Sequence, residues 1–227
     1  MCDASFKQHE TDDKSAQVRA RPIIRVATEA TELDQLYRFR YRIYVEEMQR
    51  KQKYADHVVK CIRDPLDDFA TNIVARDPTG EIIGTVRSNF SRHGHLLGYD
   101  TFYAMETAHA AHPASTSICT RLMIAPEYRR STLAVRLSIF VYEYSLNNGI
   151  THNFIDCNEH LISFFVGLGF IQHIPLKNHE EYGDVTCMRL QLHDREHMDR
   201  LASPFVASLN KWRLQTEAKT ELVAAAP

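Results

Sequence analysis

The stretch from Ser117 to Phe170 constrains the fold of this chain more than any other. It begins with a mainly apolar segment, 117–125, which is followed by a turn. Large apolar side chains then recur at the spacing of a helix as far as Asn148. A second apolar segment, 151–156, and a short helix complete the stretch. The pattern predicts a strand, a helix, a strand and a helix, in that order.

A long helix and further strands are predicted around this stretch. Residues 22–27 favour a strand, and the apolar residues between Thr31 and Met48 recur at helical spacing, with Thr31 just before the helix. The turn from Asp77 to Gly80 separates two apolar segments and predicts a hairpin. Two more strands are expected after the central stretch. The order of the elements indicates an α/β protein with a mixed sheet rather than a doubly wound parallel one.

The composition is that of a soluble globular protein. The chain has 227 residues, 44% of them hydrophobic, and no linker rich in Pro, Gly or Ser divides it. We expect one domain, 22–193, preceded by a mobile tail, 1–21, and followed by a C-terminal helical extension, 194–227. A net charge of −2 gives no global reason to expect nucleic acid as a partner. Scattered cysteines, no apolar span and no secretory signal favour a cytoplasmic location.

Two segments of the chain carry a specific family resemblance. In the first, Leu36–Met48, Arg40 precedes the aromatic Tyr44 by four residues. The second combines 120–130 with 154–170. Together they resemble the GNAT acyltransferase fold and, within it, the N-acyl amino acid synthases and their relatives, the acyl-homoserine lactone synthases. The resemblance covers most of the chain. It implies an enzyme that takes an acyl chain from acyl carrier protein and places it on the amine of an amino acid or its derivative.

Three positions depart from the patterns of these families. The usual GNAT phosphate turn reads Q/R-x-x-G-x-G/A, and between Arg129 and Ala134 the first glycine is replaced by Thr132. Because a side chain there crowds a pyrophosphate, the change disfavours coenzyme A and favours the single phosphate of a carrier-protein pantetheine. Phe165 stands where many GNAT enzymes have a tyrosine that can protonate the thiolate. Ile118 stands where the lactone synthases have glutamate, which disfavours a homoserine-lactone product.

The candidate catalytic residues are arginines on predicted core elements and aspartates in a predicted turn. Arginine binds a carboxylate with two parallel hydrogen bonds, and aspartates suit the ammonium group of an acceptor. The same aspartates suit a plain turn, in which Pro65 excludes a regular helix, or structural ion pairs. This set is Arg40, Arg87, Arg121, Asp64 and Asp67. Further candidates for the proton acceptor are Glu46, Glu47 and Asp68.

The acyl donor is expected to bind between the phosphate turn and an apolar slot. Backbone N–H groups at a helix N-terminus bind phosphate. The resemblance to the GNAT fold implies that a backbone N–H between 122 and 125 holds the thioester oxygen. Asn158 is expected to cap the last helix of the central stretch. The alternatives are a solvated basic surface and an ordinary core. The candidate donor-binding residues are Tyr44, Phe69, Leu122, Met123, Ile124, Arg129, Arg130, Ser131, Thr132, Asn158 and Phe165.

The leading hypothesis is a transfer of a long acyl chain from acyl carrier protein to the α-amine of an amino acid. The expected partners are acyl carrier protein and the amino acid, with a product able to associate with membranes. We expect no tightly bound cofactor and no metal, because the histidine pairs lack acidic or cysteine partners in a recognised pattern. Three alternatives stay open: a coenzyme A-dependent N-acetyltransferase, an acyl-homoserine lactone synthase, and a non-catalytic module that binds acyl chains or carrier protein.

Overall fold

The computed structural model describes residues 21–224. Apart from Arg21, the predicted N-terminal tail lies outside these residues, and so do the last three residues of the predicted extension. The strands are β1 (Ile23–Val26), β2 (Ala55–Asp56), β3 (Cys61–Ile62), β4 (Ala70–Arg76), β5 (Ile82–Phe90), β6 (Thr116–Ile124), β7 (His152–Cys157), β8 (Ile171–His179) and β9 (Gly183–Gln191). The α-helices are α1 (Ala30–Tyr41), α2 (Tyr99–Phe102), α3 (Leu133–Asn147), α4 (Ile162–Leu168), α5 (Arg195–Arg200) and α6 (Phe205–Ala224).

Seven strands of the described chain form one mixed sheet in the order β1-β4-β5-β6-β7-β9-β8. The pair β6 and β7 is parallel, and the other neighbours are antiparallel. This arrangement confirms the mixed α/β sheet predicted from the order of the elements. The two short strands β2 and β3 form a separate ribbon. No helix within residues 21–224 is long and apolar enough to cross a membrane.

The central strands β6 and β7 separate soon after they begin. They are paired only from Thr116 opposite His152 to Ile118 opposite Phe154, although both strands continue beyond these residues. On its other side, β6 has a register shift against β5, and Arg121 at this point has a left-handed φ of 57°. A bulge of this kind redirects a side chain and is frequent beside active sites. The sheet is therefore open at its centre, with Arg121 at the edge of the opening.

Helix α1 differs in detail from the prediction. It begins at Ala30, one residue before the predicted cap Thr31, because the carbonyl of Glu29 already accepts the N–H of Leu33 at 2.9 Å. After Tyr41 the backbone continues as a π-helical turn, in which the N–H of Met48 donates to the carbonyl of Ile43. Such turns often mark functional sites.

The C-terminal helix α6 packs onto the same core as the sheet. Phe205 and Leu209 are buried, and the ring of Phe205 stacks on that of Tyr142 from α3 with centroids 4.3 Å apart. The hydroxyl of Ser208 also donates to Glu143 at 2.7 Å. The predicted extension thus contributes side chains to the apolar cluster that covers β7 and β9.

Candidate active site

A cavity of about 710 Å³ fills the opening between β6 and β7. Its lining extends from the exposed Arg129 and Ser131, which precede α3, to the buried Tyr142 and Phe205. Most of the side chains between these limits are apolar and come from β6, β7, α3, α4 and β9. We call this space the donor cavity. An extended apolar molecule with a polar end has the shape and polarity to occupy it.

Five of the predicted catalytic residues meet beside this cavity, and we call them the arginine cluster: Arg40, Arg87, Arg121, Asp64 and Asp67. One guanidinium nitrogen of Arg40 donates to both oxygens of Asp67, at 2.8 and 2.9 Å. Arg87 and Arg121 each donate to one oxygen of Asp64, at 2.5 and 2.7 Å. All five side chains are buried. Three cations face two anions, so the cluster carries an excess of one positive charge.

The arginines keep both aspartates ionised. Burial alone would raise the pKa of Asp64, but Arg87 and Arg121 outweigh it and lower that pKa to about 2. Burial alone would also raise the pKa of Asp67, but the contacts with arginines lower it, and the largest of these contributions comes from Arg40. A carboxylate bound this firmly to guanidinium groups is a weak base at neutral pH. These aspartates are consequently suited to fixing charge and position, and poorly suited to accepting a proton.

The turn that carries the two aspartates is a helical turn, and this corrects the expectation that Pro65 excludes a regular helix. Residues Pro65–Phe69 form a 3-10 helix. Proline is tolerated at the first helical position, because its missing N–H would have no partner there. Asp64 accepts the N–H of Leu66, and Asp67 accepts the N–H of Asp64, both at 3.0 Å. This reciprocal capping holds both carboxylates toward the arginines.

A second cavity of about 370 Å³ is bordered by two members of the arginine cluster, Asp64 and Arg121. It shares Arg121 and Tyr99 with the donor cavity, so the two spaces meet at these side chains. Asp64 and Lys53 line it together with aromatic and acidic side chains. We call it the acceptor cavity. Its charges of both signs match a molecule that carries an ammonium and a carboxylate group.

A second polar group, which we call the tyrosine cluster, lies across the opening from Arg121. The hydroxyl of Tyr103 donates to Asp156 of β7, and the hydroxyl of Tyr99 bonds to the Nε2 atom of His179 at 3.1 Å. The ring of Tyr182 stacks on His179 with centroids 4.5 Å apart. Burial raises the pKa of Asp156, whereas the hydrogen bond from Tyr103 and the charge of His179 oppose that rise.

The predicted donor-binding residues divide into two groups. Those that line the donor cavity are Tyr44, Leu122, Met123, Ile124, Arg129, Ser131, Asn158 and Phe165. Arg130 and Thr132 do not line it, although both belong to the turn that leads into α3. Phe69 is misplaced in the prediction. Because the 3-10 helix ends at Phe69, its ring lies against Gly94 and is 53% exposed.

Asn158 does not cap a helix with its side chain, contrary to the expectation. It precedes the short helical turn before α4, but its amide nitrogen donates to the carbonyls of Tyr182 and Asp184, at 3.0 and 3.1 Å. Its amide oxygen accepts a long hydrogen bond of 3.4 Å from Arg50. Asn158 therefore ties the end of β7 to the turn between β8 and β9, where Tyr182 lines the donor cavity.

The other predicted proton acceptors lie in exposed ion pairs. Glu46 pairs with Lys60 at 2.8 Å, and Asp68 pairs with Arg63 at 2.6 Å. Glu47 pairs with Arg129 at 2.5 Å, at the entrance of the donor cavity. Sequence reasoning missed Asp156, which is the one acidic side chain in the lining of the donor cavity as the structure describes it. No local pattern singled it out, because one charged residue in a short predicted strand is not unusual.

The sequence comparison decides the family. Residues 35–191 match the family described as N-acyl amino acid synthase FeeM. The chain belongs to this family. It is therefore an N-acyltransferase, and its mixed sheet is the GNAT-like fold of such enzymes. No curated protein matches the sequence.

Solved structures with the same fold include FeeM itself, an N-acyl amino acid synthase from uncultured soil microbes. It is 20% identical, with a TM-score of 0.61 over 82% of this chain and 97% of FeeM. The coenzyme A-dependent acyl-homoserine lactone synthase BjaI, with SAM and isopentyl-CoA, is 16% identical, with a TM-score of 0.64 over 86% of this chain and 100% of BjaI. A second such synthase, MesI, is 19% identical, with a TM-score of 0.60 over 79% and 93% of the two chains.

Proposed function

We propose that this FeeM-family protein transfers a long acyl chain from acyl carrier protein to the α-amine of an amino acid. The observation that carries the proposal is the meeting of two different cavities at Arg121 and Tyr99. One cavity is long and mostly apolar, and the other carries charges of both signs. An acyl thioester and an amino acid bound on either side would bring their reacting atoms together at this junction. The product would be an N-acyl amino acid.

The donor side offers a place for each part of an acyl-pantetheine. The backbone N–H groups of Thr132, Ala134 and Val135 have no acceptor within the described chain, and they lie at the N-terminus of α3. Such groups bind phosphate, and Arg129, which pairs with Glu47, lies at the entrance. The apolar walls that end at Phe205 then suit the fatty chain.

The acceptor side suits an amino acid. The arginine cluster has one positive charge more than its aspartates neutralise, and a buried excess charge is unfavourable without a counter-ion. The carboxylate of an acceptor would supply that charge at Arg121, which also holds Asp64 and the side-chain oxygen of Gln52. Asp64, at the wall of the same cavity, would face the ammonium group.

Acyl carrier protein is the proposed donor, and coenzyme A is the rival. The side chain of Thr132 in the phosphate turn supports the carrier protein, whose pantetheine has a single phosphate. Coenzyme A stays an alternative donor, because solved structures of coenzyme A-dependent synthases have the same fold. Since both donors belong to the cytoplasm, we also place the protein there. The size of the donor cavity favours long chains over the acetyl group of a coenzyme A-dependent N-acetyltransferase.

The donor question is tested by steady-state rates with matched thioesters. Purified protein is supplied with a mixture of amino acids and with one of three donors. Two of them carry the same long acyl chain, on acyl carrier protein or on coenzyme A, and the third is acetyl-coenzyme A. We expect the highest kcat/KM with the carrier protein and little turnover of the acetyl donor. Equal or better use of the long-chain coenzyme A thioester would contradict the choice of carrier protein. Preferred use of acetyl-coenzyme A would contradict the long-chain assignment.

A further inference from the structure

Amide formation from a thioester requires a group that takes a proton from the acceptor. An amino acid carries its α-amine as an ammonium ion at neutral pH, and this form has no lone pair with which to attack. The arginine cluster cannot provide the base, because its two carboxylates are held ionised by guanidinium groups at 2.5 to 2.9 Å. The remaining acids predicted from the sequence lie in exposed ion pairs. The proton must therefore go elsewhere.

Asp156 lines the donor cavity together with Tyr99 and Arg121, the two side chains that also line the acceptor cavity. The last parallel pair of the sheet joins Ile118 to Phe154, and Asp156 follows two residues later on the side where the strands have separated. Asp156 shares its face of β7 with Phe154, which belongs to the same apolar cluster as Tyr103, whereas the intervening Ile155 packs into the apolar cluster of α3 and α6. Its carboxyl thus lies on the side of the opening that holds Tyr99.

The hydrogen bonds around Asp156 hold the carboxyl in place and leave part of it accessible. Tyr103, which is fully buried, donates its hydroxyl proton to one oxygen of Asp156. No hydrogen bond or ion pair within residues 21–224 joins Asp156 to an arginine or lysine, in contrast to Asp64 and Asp67. The side chain is only partly buried, and it lines the donor cavity.

We propose that Asp156 is the proton acceptor for the amine in this reaction, and the inference rests on the proposed function. The Asp156 carboxylate takes one proton from the ammonium group and leaves a neutral amine. The amine nitrogen attacks the thioester carbonyl carbon, a C–N bond forms, and the C–S bond breaks. The proton that the nitrogen still has to lose goes to the departing sulfur, which leaves as a thiol. Asp156 then releases its proton to water, so one proton is set free per amide.

The groups around Asp156 set the pH at which it works. Burial raises its pKa, and Tyr103 and His179 oppose the rise. A base is effective when its pKa lies nearer to the working pH than that of an exposed carboxylate. Burial, and to a smaller extent the charge of Asp156, raises the pKa of Tyr99 and of the thiols of Cys157 and Cys187, so these groups stay protonated and none of them competes for the proton. The titratable groups that face Asp156 are Tyr99, Tyr103, Cys157, Cys187 and His179.

The substitution Asp156→Asn tests the proposal, because the amide keeps the shape and can still accept the Tyr103 hydrogen bond. At pH 7 we expect kcat to fall about a hundredfold or more, with the KM for both substrates nearly unchanged. The deficit should shrink as the pH is raised toward 9, since a growing fraction of the amine is then already neutral. A purely structural loss would not recover with pH. Asp156→Glu should restore part of the rate.

The substitution Tyr103→Phe provides the second test. It removes the hydrogen bond that favours the charged form of Asp156, so the acid limb of the kcat/KM profile should move to higher pH. The rate at alkaline pH should stay close to that of the wild type. The inference is overturned if the acid limb does not move in Tyr103→Phe, or if kcat of Asp156→Asn at pH 7 is within about threefold of the wild type. The acyltransferase function would stand in both cases. A wild-type enzyme that forms no N-acyl amino acid overturns both.

Discussion

Asp64 and Asp156 are carboxylates beside the same opening in the sheet, and their surroundings give them opposite properties. Two arginines lower the pKa of Asp64 to about 2 and hold both of its oxygens. A tyrosine holds Asp156, and burial raises its pKa. The comparison shows how the surroundings of one residue type can lower its pKa on one side of a cleft and raise it on the other.

The two sides also differ in what they can bind. The half built from α1, β4, β5 and the 3-10 helix has an apolar core of its own and presents the charged, hydrogen-bonded arginine cluster to the cleft. The half built from β7, β9, α3 and α6 is apolar and encloses the deep part of the donor cavity. An enzyme that joins a fatty chain to a zwitterion needs both environments within a few ångströms. Substitutions confined to one half should therefore affect one substrate or one property.

The largest effect is expected when the arginine cluster is broken. Asp67→Asn leaves Arg40, which is fully buried, without its counter-charge. The free energy of unfolding should fall by about 3–5 kcal/mol, measured by urea denaturation. Asp199→Asn is the matched control, because its pair with Arg195 is about half exposed, and the loss there should stay below about 1 kcal/mol. Equal losses in the two variants would contradict the charged, rigid description of this half.

The next effect concerns the pH dependence of stability. The pKa of Asp64 is lower in the folded protein than in the unfolded chain, so this carboxyl stabilises the fold above about pH 4. The stabilisation is lost as the pH falls through the folded pKa of about 2. Its size is about 2 kcal/mol, of which roughly half should be lost between pH 5 and pH 3.

Urea denaturation of the wild type and of Asp64→Asn at pH 5 and pH 3 measures this loss. The variant should lose about 1 kcal/mol less than the wild type over the interval. The contribution of Asp156 to stability has the opposite sign, because its pKa is raised in the folded protein. Its ionised form therefore opposes folding at neutral pH, and Asp156→Asn should not reduce stability there. Parallel pH curves for the wild type and Asp64→Asn would refute the lowered pKa.

A smaller effect is expected when a larger side chain fills part of the donor cavity in the apolar half. Val141 on α3 lines the donor cavity, and Val141→Phe should shorten the longest acyl chain that is used efficiently by about two carbons. Each methylene that loses its apolar contact should cost about fourfold in kcat/KM, which corresponds to about 0.8 kcal/mol. Val166→Phe is the matched control, because Val166 on α4 is partly exposed and does not line the cavity. An unchanged chain-length profile in Val141→Phe would place the acyl chain elsewhere.

The smallest effect is expected at the entrance. Arg130 is exposed beside the phosphate turn and does not line the cavity. Arg130→Ala should reduce kcat/KM for an acyl carrier protein thioester about two- to fivefold at low salt, as expected for one surface charge at a transient interface. A short pantetheine thioester should be used equally well by both proteins. A similar loss with the short donor would argue that Arg130 acts on the reaction and not on docking.

The sequence was sufficient for much of the fold and for one half of the site. Apolar periodicity identified the strands of the seven-stranded sheet and the long helices, because each of these elements shows its pattern within a short segment, but it missed the two-residue strands β2 and β3. The sequence also singled out Arg40, since a charged residue on a core element requires a partner, and Asp67, since an aspartate in the predicted turn could be that partner. Their meeting at 2.8 Å is observed, whereas their part in the reaction stays a prediction.

The other half of the site could not be predicted, because it is formed by contacts between residues that are far apart in the sequence. Tyr103 and Asp156 are 53 residues apart, and each is unremarkable within its own segment. The depth of the donor cavity depends on α6, whose Ser208 meets Glu143 across 65 residues. Phe69 was misplaced because the rules for apolar residues do not tell which side of a 3-10 helix meets the cleft.

Mass spectrometry of the product tests the central claim most directly. Purified protein is incubated with a long-chain acyl carrier protein thioester and a mixture of amino acids, beside Arg121→Ala and the control Val166→Phe. The wild type and the control should form an amide whose mass is that of the fatty acid and one amino acid less water, and Arg121→Ala should form almost none. Release of free fatty acid alone, or equal amide formation by Arg121→Ala, would contradict the account.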